Sequence, residues 1–74
     1  MNSIDIDVGG TFTDMVLNHG DQIVIRKVPT TPYDLSVCFS NVILEGAQAL
    51  GITTENMLSS IEMIRYSTTI ALNR

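Results

Sequence analysis

Between residues 5 and 14 the chain reads Asp-Ile-Asp-Val-Gly-Gly-Thr-Phe-Thr-Asp, and this decapeptide restricts the fold more than any other stretch. Ile4, Ile6 and Val8 alternate with Asp5 and Asp7, the period-2 pattern of a strand with one buried face. The strand runs into Gly9-Gly10, where backbone without a Cβ can turn tightly and let another group approach its N–H donors. Hydroxyls follow at Thr11 and Thr13, and carboxylates flank the turn at Asp7 and Asp14. Such a turn suits a phosphate. Asp7, at the end of the strand, is placed to hold a divalent cation or its water shell beside that phosphate. The chemistry indicated is nucleotide binding and phosphoryl transfer, with ATP and Mg2+ as the expected cofactors.

The rest of the chain reads as one small α/β unit. Thr11–Leu17 is strand-like, with Phe12 facing opposite to Thr11 and Thr13; His19-Gly20-Asp21 is a turn signal. Gln22–Val28 forms a third strand, with Ile23 and Ile25 on one side and Val24 and Arg26 on the other. Three strands joined by short turns predict an antiparallel meander. Pro29-Thr30-Thr31-Pro32 ends it, because proline donates nothing to a ladder. A helix follows, capped by Asp34 or Ser36 and running to Leu50, with Leu35, Phe39, Val42, Ile43, Gly46, Ala47 and Leu50 on one stripe. Gly51 stands where a helix-terminating glycine belongs. A short helix from Thr53 or Thr54 to about Ser60 comes next, then a fourth strand over Ile61–Tyr66. Ser67-Thr68-Thr69 reads as the cap of a further helix that has barely begun at Arg74. A helix needs several turns to be stable, so the expectation is a truncated domain over residues 1–74.

Composition removes several alternatives. The 74 residues allow one small domain, which buries only ~60% of the surface its unfolded chain exposes. Four Lys/Arg against eight Asp/Glu give a net charge of −4, which argues against nucleic acid or an anionic membrane surface as partner. No apolar run approaches the ~20 residues that cross a bilayer. The N-terminal residues lack the pattern of a signal peptide, and the single cysteine, Cys38, forms no internal disulfide; a cytoplasmic setting is expected. Hydrophobic content is 45%, high for so small a body, so a partner or oligomeric contact is expected to cover apolar surface.

Three segments together resemble the N-terminal region of the hydantoinase/5-oxoprolinase family. They are Asp7-Val8-Gly9-Gly10-Thr11-Phe12-Thr13-Asp14, Lys27-Val28-Pro29-Thr30-Thr31-Pro32, and Tyr66-Ser67-Thr68-Thr69-Ile70-Ala71-Leu72-Asn73. The first is specific, because Phe-Thr-Asp after the glycines separates it from sugar kinases with a similar start. The resemblance spans nearly the whole chain. It implies part of an actin-like ATPase (ribonuclease H-like) domain. It also implies an enzyme that uses ATP to phosphorylate a carbonyl oxygen, after which water opens a lactam or imide ring. A branch of the family activates ketones such as acetone or acetophenone for carboxylation. Tyr66-Ser67 stands where the family usually has His-Gly, which removes an imidazole and is compatible with the ketone branch. Family members are several hundred residues long, so the second phosphate loop, the adenosine pocket and most of the substrate site lie outside this sequence.

The candidate site residues are therefore Asp7, as catalytic group and metal-shell ligand, and Gly9, Gly10, Thr11, Thr13, Asp14, Thr68 and Thr69 around the phosphates. Each has a plainer reading. Gly-Gly is a common hairpin signal, the threonines are good strand formers, Asp7 can simply face water, Asp14 can orient the threonines or cap a turn, and Thr68-Thr69 caps a helix. Lys27 either reaches a phosphate or is a solvated edge-strand lysine. His19 is expected to be exposed, Cys38 a small core residue, and Met57 and Met63 core or interface fillers. The expected small-molecule substrate is a cyclic amide or a ketone. The isolated chain is expected to turn over no ATP, needing the rest of an enzyme or a partner subunit. A non-catalytic module that docks on a partner is the competing reading.

Overall fold

The computed structural model describes residues 1–68. Three strands come first, β1 (Ser3–Val8), β2 (Phe12–His19) and β3 (Gln22–Pro29), followed by the helices α1 (Leu35–Leu50) and α2 (Thr54–Ser60) and a last strand, β4 (Met63–Thr68). The sheet order is β3-β2-β1-β4. The first three strands form the expected antiparallel meander, whereas β4 lies parallel to β1 on its other side. The result is an α/β fold with a mixed sheet, consistent with part of an actin-like, ribonuclease H-like domain.

The register explains which side chains share a face. Ile4 pairs with Leu17, Ile6 with Met15 and Val8 with Thr13, and Leu17 with Val24 and Thr13 with Val28. This face packs on α1, whose Cys38, Val42, Ile43, Gly46 and Ala47 are buried; Leu35, Phe39 and Leu50 pack at its margin. Helical residues three or four apart share a stripe, so the predicted stripe becomes the contact. Gly46 brings the helix close: a Cβ there would stand 2.8 Å from the Met15 methyl. Met57 of α2 completes the core, fully buried.

The opposite face carries Asp5, Asp7, Asp14, Val16, Lys27 and Arg65 and has no helix over it among the described residues. Ile23 and Ile25 of β3 are 68% and 64% exposed on that side, while Val24 packs inward.

Helix ends follow the sequence signals. The Asp34 carboxylate accepts from the Ser36 backbone N–H at 3.0 Å and from its hydroxyl at 2.7 Å. Gly51 has φ 73° and donates to the Ala47 and Gln48 carbonyls, the left-handed ending that suits glycine. Thr53 caps α2. Three expectations need correction. The fourth strand is not Ile61–Tyr66 but Met63–Thr68: the Ile61 N–H closes the end of α2 on Leu58, and the Glu62 N–H reaches the Asn2 carbonyl. Ser67 and Thr68 are accordingly strand residues and not a helix cap, held by parallel pairing with Asp7 and Val8. Thr69 and the helix expected after it lie outside the described residues. His19 is half-buried rather than exposed, its Nε2 3.1 Å from the Ser60 hydroxyl. No single helix among the described residues is long and apolar enough to cross a membrane.

Candidate functional site

The carboxyl ends of β1 and β4 lie side by side because these strands are parallel and Val8 pairs with Thr68. In open α/β sheets ligands bind outside such ends. Two motifs sixty residues apart thus converge on one place: the Thr68 hydroxyl donates to the Val8 carbonyl at 3.2 Å, one residue before Gly9.

The bend over residues 9–11 joins β1 to β2. The Gly9 N–H donates to the Phe12 carbonyl at 2.9 Å, which narrows it. Neither Gly9 nor Gly10 adopts a positive φ, so backbone conformation does not require glycine here. Space does not require it at Gly10 either, since a Cβ would meet no atom within 4 Å. What the missing side chain leaves is open approach to the backbone. The N–H groups of Gly10 and Thr11 have no protein partner among the described residues, and both residues are exposed. Unpaired N–H groups at a bend form an anion-binding concavity.

Asp7 projects from β1 onto the open face. Its ladder neighbours are Asp14 on β2 and Ser67 on β4. Three carboxylates share this face, and two have cations: Asp14 binds Lys27 Nζ at 2.6 Å and Asp5 binds Arg65 Nε at 2.7 Å. Asp7 has no cation partner among the described residues; it accepts only a long bond from the Ser67 hydroxyl, 3.4 Å. Like charges opposite each other on a ladder repel, so the pairing of Asp14 with Lys27 relieves Asp7. The three carboxylates line a shallow depression of about 530 Å³, together with Ile6, Val16, Arg65, Tyr66 and Ser67. Among the described residues no three His, Cys, Asp or Glu side chains converge on one metal position. A cation here would be held as magnesium often is, by one carboxylate, water and substrate phosphate.

The structure separates the candidates. Gly9, Gly10, Thr11 and Thr68 gather at the strand ends with Asp7 beside them, and Asp14 is one step further along the open face. Thr13 is elsewhere: it is fully buried on the α1 side, its hydroxyl 3.0 Å from that of Thr30. Facing alternates along a strand, so Thr13 points away from the face Asp7 occupies, and its hydroxyl presents no surface to a phosphate. Lys27 lies 5.2 Å from the centre of the Phe12 ring while it pairs with Asp14. A residue not singled out from the sequence, Thr30, touches the bend directly. Its hydroxyl donates to the Gly9 carbonyl at 2.8 Å and its N–H to the Thr11 carbonyl at 2.9 Å. The two prolines around it mark a fixed segment, but only the folded register of β2 and β3 shows what the segment fixes.

Burial pushes the Cys38 thiol up, but hydrogen-bond contacts with the Thr13 and Thr31 side chains and with the backbone of Thr31 and Cys38 outweigh it and leave the thiol below its usual range. Cys38 lies in the core behind the bend, where its sulfur donates to the Leu35 carbonyl.

Sheet order, parallel strand ends and glycine bend define the class of domain, a partial actin-like, ribonuclease H-like α/β unit. The chain belongs to the hydantoinase/oxoprolinase family: the N-terminal region of that family matches residues 3–74. Over all 74 residues it is 55% identical to the acetophenone carboxylase gamma subunit of Aromatoleum aromaticum (strain DSM 19018 / LMG 30748 / EbN1), and over 71 residues, 95% of the chain, it is 37% identical to the caprolactamase subunit alpha of Pseudomonas jessenii. The chain spans about a tenth of the length of these curated relatives.

Proposed function

We propose that this chain supplies the first phosphate-binding bend of an ATP-dependent enzyme that activates a substrate carbonyl. The observation that carries the reading is the bend itself: Gly10 is bare where neither conformation nor packing asks for it, with two N–H groups that have no protein partner among the described residues, beside Asp7, which has no cation partner among them. Bound MgATP would supply the phosphoryl group that activates the carbonyl oxygen. The Gly10 and Thr11 N–H groups would hold phosphate oxygens, Thr11 would add its hydroxyl, and Asp7 would hold a water of the magnesium shell. Gly9 narrows the bend. Thr68 borders it from β4 through the Val8 carbonyl. Asp14 keeps Lys27 on the same face, where its charge lowers the cost of gathering anions.

Two branches share this step. In one, water opens a cyclic amide, and 37% identity to a caprolactamase subunit supports it. In the other, a ketone is carboxylated, and the higher identity, 55% to an acetophenone carboxylase subunit, favours it. Tyr66-Ser67, in place of the family's His-Gly, agrees with the second. Both relatives are named as subunits, and we infer that this segment likewise works in an assembly, in the cytoplasm, with partner chains covering its open sheet face.

The test is isotopic. With substrate labelled by 18O at the carbonyl, turnover by the assembled enzyme should deliver the label to inorganic phosphate where water opens an amide and the C–O bond breaks, and leave it in the β-keto acid where a ketone is carboxylated and the O–P bond breaks. Asp7→Asn should lower ATP-dependent turnover by about 10²–10³-fold, the scale on which single electrostatic contacts act in active sites. Turnover without ATP consumption, or an Asp7→Asn enzyme as active as the native one, would remove the proposal. Dependence on bicarbonate separates the branches.

A further inference from the structure

The carbonyls around the bend are all but spoken for. Val8 accepts from the Thr68 hydroxyl at 3.2 Å, Gly9 from the Thr30 hydroxyl at 2.8 Å, Thr11 from the Thr30 N–H at 2.9 Å, and Phe12 from the Gly9 N–H at 2.9 Å. A peptide bend can present either of its dipole ends to a ligand. Carbonyl oxygens repel an anion and N–H groups attract it, so the sign of the site depends on which end is turned outward. Thr30 holds two carbonyls at once, with side chain and backbone.

The hydroxyl network behind it has one consistent direction. A threonine hydroxyl has a single proton. Thr30 gives its proton to the Gly9 carbonyl, so in the 3.0 Å contact with Thr13 it is Thr13 that donates. Thr13, fully buried, orients Thr30, and Thr30 orients the bend. This gives the buried hydroxyl a partner and a purpose that a phosphate contact does not.

We propose that Thr30 is the positioning residue of the bend: by holding the Gly9 and Thr11 carbonyls toward the β3 side, it turns the Gly10 and Thr11 N–H groups outward to an anionic phosphate chain. The inference rests on the nucleotide reading above and adds the residue that sets the polarity of that site. Thr31, its neighbour, has different work: its hydroxyl donates to the Asp34 carbonyl and accepts from the Cys38 N–H, at the start of α1. It therefore serves as a matched control, a threonine lost from the same segment without touching the bend.

MgATP affinity is measured on the assembled enzyme for the native protein and for Thr30→Val, Thr30→Ser and Thr31→Val, with amide exchange followed without nucleotide. Thr30→Val keeps the N–H and the shape but loses the hydroxyl. It should weaken MgATP binding about tenfold, as a lost ordering hydrogen bond does, and speed exchange at the Gly9 amide. Thr30→Ser should bind within about twofold of native, because the donor remains. Thr31→Val should lower the melting temperature while leaving affinity unchanged. Native-like affinity in Thr30→Val would overturn the positioning role and leave the nucleotide reading standing. Equal weakening in Thr30→Val and Thr31→Val would overturn it too, as a general loss of stability. A native enzyme that does not bind MgATP would bring down both.

Discussion

The two turns of the meander look alike on paper and are built for opposite purposes. Between β2 and β3, Gly20 has φ 61°, and its N–H is satisfied by the Asn2 side chain at 2.8 Å. Glycine is there for conformation, since a left-handed backbone costs other L-residues about 1–2 kcal/mol. Between β1 and β2, Gly9 and Gly10 have no positive φ, yet the N–H groups of Gly10 and Thr11 have no protein partner among the described residues, while the Val8, Gly9, Thr11 and Phe12 carbonyls are tied back. The first turn closes on itself. The second is closed on its carbonyl side and open on its donor side. Glycine in a turn thus has two physical meanings, and the backbone dihedral together with the hydrogen-bond inventory tells them apart.

The largest expected effect separates the two turns by function. Gly10→Val should leave the melting temperature nearly unchanged, because its Cβ meets no atom within 4 Å. It should weaken MgATP binding on the order of 100-fold, because the added side chain stands where the phosphate must approach. Calorimetric titration of the assembled enzyme reads the affinity, and a Gly10→Val protein that binds normally would erase the distinction. The reverse dissociation comes next. Gly20→Val should cost about 1–2 kcal/mol of stability through left-handed strain while binding MgATP as the native protein does, checked by chemical denaturation beside the same titration.

The smallest effect lies outside both turns and tests whether their surroundings respond to pH. The Asp34 carboxylate is held below its ordinary value of 3.8, first by the Ser36 hydroxyl and then by the Ser36 backbone N–H. A carboxylate with a depressed folded value contributes stability above its unfolded value and loses it as pH falls through the lower, folded one. Thermal melts should therefore show native protein more stable than Asp34→Ala at neutral pH, with the gap shrinking below about pH 3.8. A gap independent of pH would mean that the cap acts without its charge.

Much of this was legible in the chain, for reasons that differ by element. The strand alternation of Ile4, Ile6 and Val8 and the stripe on α1 are local periodicities, so the meander and the helix needed no tertiary information. The caps Asp34 and Thr53 and the ending at Gly51 are set by side chains within a few residues. Thr13 shows where such reading stops. Its place beside the glycines suggested a phosphate contact, but strand alternation sent it to the α1 face, opposite Asp7. The β4 boundary was also missed, because its two extra residues are strand only through pairing with Asp7 and Val8 sixty positions away. Lys27 had two open readings, a phosphate contact or a solvated edge-strand lysine, and neither named the exposed ion pair with Asp14 that its register sets up.

By itself, the order of residues settled where the chain turns, which stripe of the helix is apolar, and that a bare glycine bend follows an acidic strand, because these depend on bonds and neighbours within a turn or two. Folding decided that β4 comes to rest beside β1, that Thr68 arrives next to Val8, and that Thr30 grips the bend from behind. Those contacts join residues with no local relation, and only the pairing of distant strands brings their donors and acceptors within bonding distance.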